Sequence, residues 1–301
     1  MTDSTPCVDP LVSMIIPVYR DPDGLRTTLE SGVHQEYSPF EIIVSITPGS
    51  GETREVAEEY SSKYPKCVRV VEVQDQGRAK ARNVGINNAG GDIIAFIDAD
   101  IRMDPDWLEA AISDLKTREA DYLACNVVIP ISTDNPGFIE RYDSAMSLPV
   151  EHYIKNYYFA PTAALLLTRE LINTIGVFDP ELTSGEDREF GNRAHDHGYE
   201  QYVCNNEVYH PPRRTLSEQI QKAVRIGVGI EQLRRLYPDQ YQYPSLISPL
   251  AYAPPSPSRL KSRLSSNSYD PVLTEFLLFY IFNYTLKLCQ QFGRWKYYRN
   301  N

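Results

Sequence analysis

Gly91-Asp92-Ile93-Ile94-Ala95-Phe96-Ile97-Asp98-Ala99-Asp100 carries the decisive pattern of this 301-residue chain. Residues 93–97 are all apolar, and two carboxylates follow where such a run would leave a sheet. An uninterrupted apolar strand belongs to a sheet buried on both faces, the usual state of parallel strands covered by helices. Working outward, residues 12–17, 41–46 and 68–73 read as further strands, the first ended by Pro17. Between them Leu25, Leu29 and Val33, then Val56, Ala57, Tyr60 and Tyr64, then Ala81, Val84 and Asn88 recur at helical spacing. After the decisive run, Asp104-Pro105 reads as an N-cap and first helical position. The helix it opens has a core face of Trp107, Leu108, Ala111, Ile112 and Leu115. The order βαβαβαβα predicts an α/β fold with a mainly parallel sheet flanked by helices.

Beyond residue 120 the pattern changes. Residues 122–131 and 163–168 read as strands and 137–153 as a helix. Residues 185–198 read as a loop entering a short helix with Phe190 and Ala194 on its inner face, and 208–210 as a small strand. Thr215-x-x-Glu218 is a capping-box pattern for a helix running towards Tyr237. Residues 243–257 are rich in proline and serine and read as a linker. Asp270-Pro271 again reads as a helix start, and 272–289 is apolar except for Glu275, Asn283 and Lys287. The expected division is an α/β domain over 1–214 and a helical extension over 215–301, the latter holding the linker (243–257) and an apolar helix (271–298).

Lys and Arg number 30 against 40 Asp and Glu, a net charge of −10, which argues against a general nucleic-acid binder. Hydrophobic residues at 42% and charged residues at 23% exclude global disorder. Cys7, Cys67, Cys125, Cys204 and Cys289 are odd in number and far apart, with no CxxC pair. They read as reduced thiols of a cytoplasmic protein rather than a disulfide framework or zinc site. Residues 1–10 are polar and acidic, without the pattern of a secretory signal.

Asp98 and Asp100 are two apart, so in an extended segment they share a face at the carboxyl end of a strand, where open α/β sheets bind ligands. Hard oxygen ligands suit Mg²⁺ or Mn²⁺, particularly with diphosphate oxygens completing the shell. A solvated loop with an aspartate cap is the alternative. Arg78, Lys80 and Arg82 place three cations at a helix N-terminus, where the dipole disfavours them and an anionic ligand would relieve the conflict. Solvated surface cations are the alternative there.

Together, Ile15-Ile16-Pro17-Val18-Tyr19, Gly77-Arg78-Ala79-Lys80-Ala81-Arg82-Asn83-Val84-Gly85 and the 91–100 run resemble family 2 glycosyltransferases of the GT-A fold. Gly185-Glu186-Asp187-Arg188-Glu189-Phe190 resembles that family's downstream acidic pair, and Tyr209-His210 its late histidine. The resemblance covers residues 12–237, and the order and spacing of all blocks agree. It implies a GT-A (Rossmann-like) domain that transfers a sugar, with inversion, from a nucleotide-diphosphate donor, uridine being the family default. The expected acceptor is a hydroxyl of a glycan or polyprenyl-linked acceptor, the lipid-linked form being suggested by the apolar C-terminal helix. Asp98 would sit by the ribose or metal, Asp100 would bind the metal, and His210 would add a metal or diphosphate contact. Arg82 and Lys80 would contact the nucleotide or diphosphate, and Pro17 and Tyr19 would shape the base pocket. Asp187 would be the general base, with Glu186 binding acceptor or holding the loop.

Two departures stand out. The second strand runs into Thr47-Pro48-Gly49-Ser50, with no carboxylate where the family often places an aspartate for the base, and Tyr19 is followed by Arg20 where the family often has asparagine.

The segment 272–289 would span ~27 Å as a helix, near the bilayer core thickness. Its three polar residues make a clean span expensive and favour an interfacial helix. Arg259, Lys261, Arg263, Arg294, Lys296 and Arg299 would face anionic lipid. Packing on protein is the other reading. The expected location is the cytoplasm, peripheral at the cytoplasmic face of the cell membrane. Arg213 and Arg214 would meet a lipid phosphate or remain surface charges. Three rivals stand beside the main reading: a transferase that moves sugar directly onto polyprenyl phosphate and needs no base, a non-catalytic scaffold that binds sugar nucleotide or glycan, and a plain structural α/β partner protein that binds no nucleotide. Oligomeric state has no signal in the sequence.

Overall fold

The computed structural model describes residues 9–131, 135–146 and 148–300. Its first half is the expected alternation: β1 (Val12–Val18), α1 (Pro22–Gly32), β2 (Phe40–Ile46), α2 (Glu52–Lys63), β3 (Val68–Glu72), α3 (Arg78–Asn88), β4 (Ile93–Ile97) and α4 (Trp107–Thr117). Then follow β5 (Tyr122–Val128), α5 (Phe138–Ala145), α6 (Val150–Tyr157), β6 (Ala164–Thr168), α7 (Arg169–Ile175), α8 (Glu186–Asp196) and β7 (Gln201–Tyr209). Three helices close the chain, two of them long: α9 (Leu216–Leu236), the shorter α10 (Pro257–Ser266) and α11 (Leu273–Asn300).

The described strands form one sheet of seven in the order β3-β2-β1-β4-β6-β5-β7. Only β6 runs antiparallel, pairing with β4 on one side and β5 on the other. The carboxyl ends of β1, β2, β4, β5 and β7 therefore share one edge, and β6 begins there. β4 lies at the centre and every one of its residues is buried, as its uninterrupted apolar run requires.

Several local details differ from expectation. β1 continues through Pro17 to Val18; its pairing with β4 ends at Ile15–Phe96, so the missing proline N–H lies past that ladder. α4 starts at Trp107 behind N-cap Asp106, not at Asp104-Pro105, because Gln35 reaches across and its Oε1 accepts from the Leu108 N–H at 2.8 Å. The buried face of α3 is Ala79, Ala81, Arg82, Gly85 and Ile86 rather than Ala81, Val84 and Asn88. A Cβ at Gly85 would meet Ile15 at 2.3 Å, so glycine lets α3 lie directly on β1. The expected helix 137–153 is two helices, since Pro149 has no N–H to continue it; Ser147 between them lies outside the described residues. β7 is nine residues long, with a register shift against β5, and the polar run Asn205-Asn206-Glu207 hid its first part.

The capping box at Thr215 forms fully and starts α9. α9 and α11 pack so closely that a Cβ at Gly227 would lie 2.0 Å from the Gln290 carbonyl oxygen, and one at Gly293 2.1 Å from that of Val224. A second apolar cluster, separate from the sheet core, joins α5, α9, α10 and α11 through Tyr142, Ala223, Leu260, Leu264 and Phe279. Cys67, Cys125, Cys204 and Cys289 are free thiols, and Cys7 lies outside the described residues.

Candidate active site

β4 ends at Ile97, so Asp98 and Asp100 emerge at the carboxyl edge of the sheet beside the start of α3 and the end of β7. Two cavities open on this edge. The first, about 500 Å³, is lined by Pro17, Tyr19, Thr47, Gln76, Asp100 and their neighbours. The second, about 590 Å³, lies under α9 and is lined by Asp187, Tyr153, Tyr157, Phe159, Lys222 and others. Arg78, Arg82, Asp98, His210, Arg213 and Arg225 line both and so form the wall between them.

In the first cavity Asp100 Oδ2 lies 3.2 Å from His210 Nε2. His210 Nδ1 lies 2.6 Å from the carbonyl oxygen of Pro211, which can only accept, so the ring proton of a neutral His210 sits on Nδ1. The Nε2 lone pair then faces a carboxylate, and only a proton or a cation between them removes the repulsion. One carboxylate and one imidazole are suitable ligands for Mn²⁺ or Mg²⁺, though too few alone. Among the described residues no group of three or more His, Cys, Asp or Glu is arranged to hold a metal ion.

Arg82 is nearly inaccessible at 2% exposure. Its Nη1 donates to Glu186 Oε1 at 2.7 Å, and its Nη2 lies 3.5 Å from Asp98 Oδ1. This guanidinium ties α3 to α8 and to the end of β4. Burial alone would raise Asp98, but Arg82, Arg78, His210 and Arg225 outweigh it and hold the carboxyl below its usual range.

The acidic pair opens α8, where the helix dipole favours carboxylates. Glu186 is buried and engaged by Arg82. Asp187 is half-buried, and the hydrogen bond it accepts comes from the Arg188 backbone N–H at 2.8 Å. Burial first, then the neighbouring Glu186 carboxylate, push Asp187 up to about 7. The loop before it is fixed by α9: a Cβ at Gly229 would lie 2.1 Å from the Ser184 carbonyl oxygen.

Matches to known proteins agree with this geometry. The family model described as glycosyl transferase family 2 matches residues 13–170. The chain belongs to that family. A model described as glycosyl transferase family group 2 matches residues 93–292. The transferase is 30% identical over 222 residues to glycosyltransferase AglE of Haloferax volcanii, covering 73% of each chain. It is 30% identical to the putative glycosyltransferase EpsH of Bacillus subtilis over 67% of this chain and 60% of that one. Among solved structures it resembles the mannosyltransferase PcManGT of Pyrobaculum calidifontis, in complex with GDP-Man and Mn²⁺. The TM-score is 0.64 at 16% identity, over 98% of this chain and 89% of that one. It also resembles S. aureus TarS 1–349 in complex with UDP-GlcNAc, with a TM-score of 0.55 at 17% identity over 96% and 92% of the two chains. The fold is thus GT-A.

Of the residues singled out from the sequence, Pro17, Tyr19, Arg82, Asp98, Asp100, Glu186, Asp187 and His210 all gather on the two cavities. Lys80 does not: its Nζ lies 3.2 Å from Asp75, and it lines neither cavity. Arg82 lines both cavities, and its guanidinium binds the carboxylates of Glu186 and Asp98. Thr47 lines the first cavity at the end of β2, and Gln76 donates to the Tyr19 hydroxyl at 3.2 Å. Lys222 and Arg225 went unnoticed. They occupy one face of α9 with Ile226, Gly229, Ile230 and Leu233, a helical spacing visible in the sequence but indistinguishable there from the edge of an ordinary amphipathic helix.

Proposed function

We propose that the transferase moves a sugar, with inversion, from a nucleotide-diphosphate donor in the first cavity to an acceptor hydroxyl in the second. The observation that carries this is the placement of the carboxylates. Asp100 lines only the first cavity, Asp187 only the second, and Asp98 lies in the wall between them. An inverting displacement needs that separation, because the base and the departing diphosphate lie on opposite sides of the anomeric carbon. Asp187 accepts the proton of the attacking hydroxyl. Glu186 cannot compete for that role while Arg82 Nη1 holds it. Asp100 and His210 would hold a divalent cation, whose chemistry is to offset the negative charge that develops on the leaving diphosphate. Arg78, exposed at the start of α3 and lining both cavities, reinforces that charge balance.

Calorimetric titration with UDP and GDP, each with Mn²⁺ and with chelator, tests the donor half. Both nucleotides are tried because the solved neighbours hold GDP-Man and UDP-GlcNAc. The expected result is binding of one of them near micromolar, about 8 kcal/mol, weakened by chelator and by Asp100→Ala. No binding of either nucleotide would reject the donor assignment.

The acceptor half extends to a membrane surface. No helix of the described residues is long and apolar enough to cross a membrane. One face of α11 packs on α9, and the other leaves Leu277, Leu278, Ile281, Leu288, Phe292 and Trp295 each at least 40% exposed. No exposed residue of that helix is acidic, and Lys296 and Arg299 are exposed at its end. In a chain of net charge −10 this is the surface suited to an anionic lipid interface. Arg294 and Arg263 take no part: Arg294 is buried against Glu231, and Arg263 donates to the Met146 carbonyl. The transferase should co-sediment with vesicles containing phosphatidylglycerol, and Ile281→Glu with Phe292→Glu should release it. A dimer in solution that the same substitutions dissociate would assign the stripe to a second copy instead.

A further inference from the structure

The second cavity is strongly cationic inside an acidic protein. Seven of its lining residues are Arg or Lys, against three Asp or Glu. Three of them, Arg213, Lys222 and Arg225, come from the first three turns of α9 and the segment after β7. Arg225 forms no hydrogen bond or ion pair among the described residues. Lys222 and Arg213 share a single carboxylate, Asp143, at 3.9 and 3.4 Å, and Asp143 also accepts from the Arg213 backbone N–H at 2.9 Å and from Gln219 at 2.7 Å. Asp143 is thus saturated from four directions, and the cations around it remain in excess. Burial first, and then Arg213, Arg263 and Arg225, depress the Lys222 ammonium to about 7, with Asp143 opposing them. Burial and then Arg78 and Arg213 likewise lower Arg225 to about 10. Grouping cations this closely in a half-buried chamber is unfavourable unless an anion joins them.

The same chamber is lined by Tyr153, Tyr157 and Phe159, with Ile230 and Leu233 of α9. Flat aromatic faces and apolar walls suit a sugar ring, and a cluster of cations suits a phosphate.

We propose that the second cavity takes a phosphorylated acceptor, with Lys222, Arg225 and Arg213 binding its phosphate and the aromatic residues holding the sugar whose hydroxyl Asp187 deprotonates. This rests on the acceptor half of the proposed function and names its substrate class. The phosphate belongs either to a lipid-linked glycan or to a water-soluble phosphodiester or sugar phosphate. No bond to phosphorus forms or breaks: the phosphate anchors, and the chemistry stays at the hydroxyl.

The test uses the full chain and three probes: inorganic pyrophosphate, geranyl diphosphate and glucose 1-phosphate. Each is titrated first alone and then with the first cavity filled by saturating nucleoside diphosphate and Mn²⁺. With the nucleotide in place, wild type should still bind a probe, and Lys222→Gln/Arg225→Gln should weaken that binding about ten-fold or more. Nucleotide affinity should stay unchanged in Lys222→Gln alone, because Lys222 lines only the second cavity. Lys222→Arg/Arg225→Lys keeps the charges and should keep the binding, which separates loss of charge from loss of fold. A preference for geranyl diphosphate over pyrophosphate identifies the lipid source, and equal or tighter binding of the soluble probes identifies the other. Unchanged probe binding in the Gln variant overturns the proposal. So does an equal loss of nucleotide and probe binding in Lys222→Gln alone, which would give these cations to the donor's own diphosphate. If wild type binds no nucleotide, the donor reading fails on its own, and the nucleotide-free titration still decides the anion site.

Discussion

Asp187→Asn should cut sugar transfer by about 10²–10⁴-fold, the usual contribution of a positioned general base, while nucleotide binding stays unchanged. The substitution keeps the shape of the side chain and its hydrogen bond from the Arg188 N–H. It removes only the capacity to take a proton. The pH dependence adds a second signature. Asp187 is raised to about 7 by burial and by Glu186, and only its ionised form is a base, so kcat/KM should rise with pH up to about 7 and then level. The sign for folding is opposite. The native state retains a proton that an unfolded aspartate releases near ~4. That contribution to stability is complete below about 4 and is lost as pH rises through about 7. Asparagine has no proton to lose, so at pH 8 the variant should melt above wild type. Thermal scans at pH 5 and pH 8, paired with single-turnover transfer, measure both halves. Retained transfer would sink the base assignment and favour an acceptor oxygen that is already ionised, such as that of a polyprenyl phosphate.

The largest effect on stability is expected at Arg82. Its guanidinium joins Glu186 at 2.7 Å and approaches Asp98 at 3.5 Å, with 3% of the side chain exposed. Arg82→Met would leave two carboxylates facing each other without their shared cation. Removing one partner of a buried ion pair costs about 3–5 kcal/mol, so the urea midpoint should fall by a corresponding amount. Arg82 also lowers Asp187, and its loss should therefore move the rising limb of the pH–rate profile to higher pH in whatever folded fraction remains. Adding Glu186→Leu to the same chain should recover part of the stability, because an apolar pair replaces an unpaired charge. A loss below about 1 kcal/mol, the range of an exposed pair, would show that this contact holds little of the fold together.

Much of the sheet was legible because its pattern is strong. Five apolar residues in a row admit few readings, and β4 spans those residues, 93–97. The inner face of α4 was equally clear: Trp107, Leu108, Ala111, Ile112 and Leu115 are all buried. The site residues were legible where their type and order carried the signal, as for Asp98, Asp100, Glu186, Asp187 and His210. What stayed hidden depends on tertiary contacts that leave no periodic trace. Arg82 looks in sequence like the exposed Arg78, yet the approach of α3 to the sheet through Gly85 turns it inward. Arg294 looks like part of a basic flank, yet Glu231 of α9 draws it into the interior at 3.1 Å. Lys222 and Arg225 take their meaning from what α9 covers, and that is decided by where β7 and α8 leave the helix to lie.

The wall between the two cavities limits how this molecule can diversify. Each of its six residues faces both chambers, so a substitution that suits one ligand must also be tolerated by the other. The outer rims carry no such double obligation. Thr47 and Gln76 face one chamber, while Tyr153, Tyr157 and Phe159 face the other. With the proposed donor in the first cavity and acceptor in the second, new sugar or base preferences would be free to arise at the first rim and new acceptor preferences at the second, while the chemistry between them would be inherited as one indivisible block.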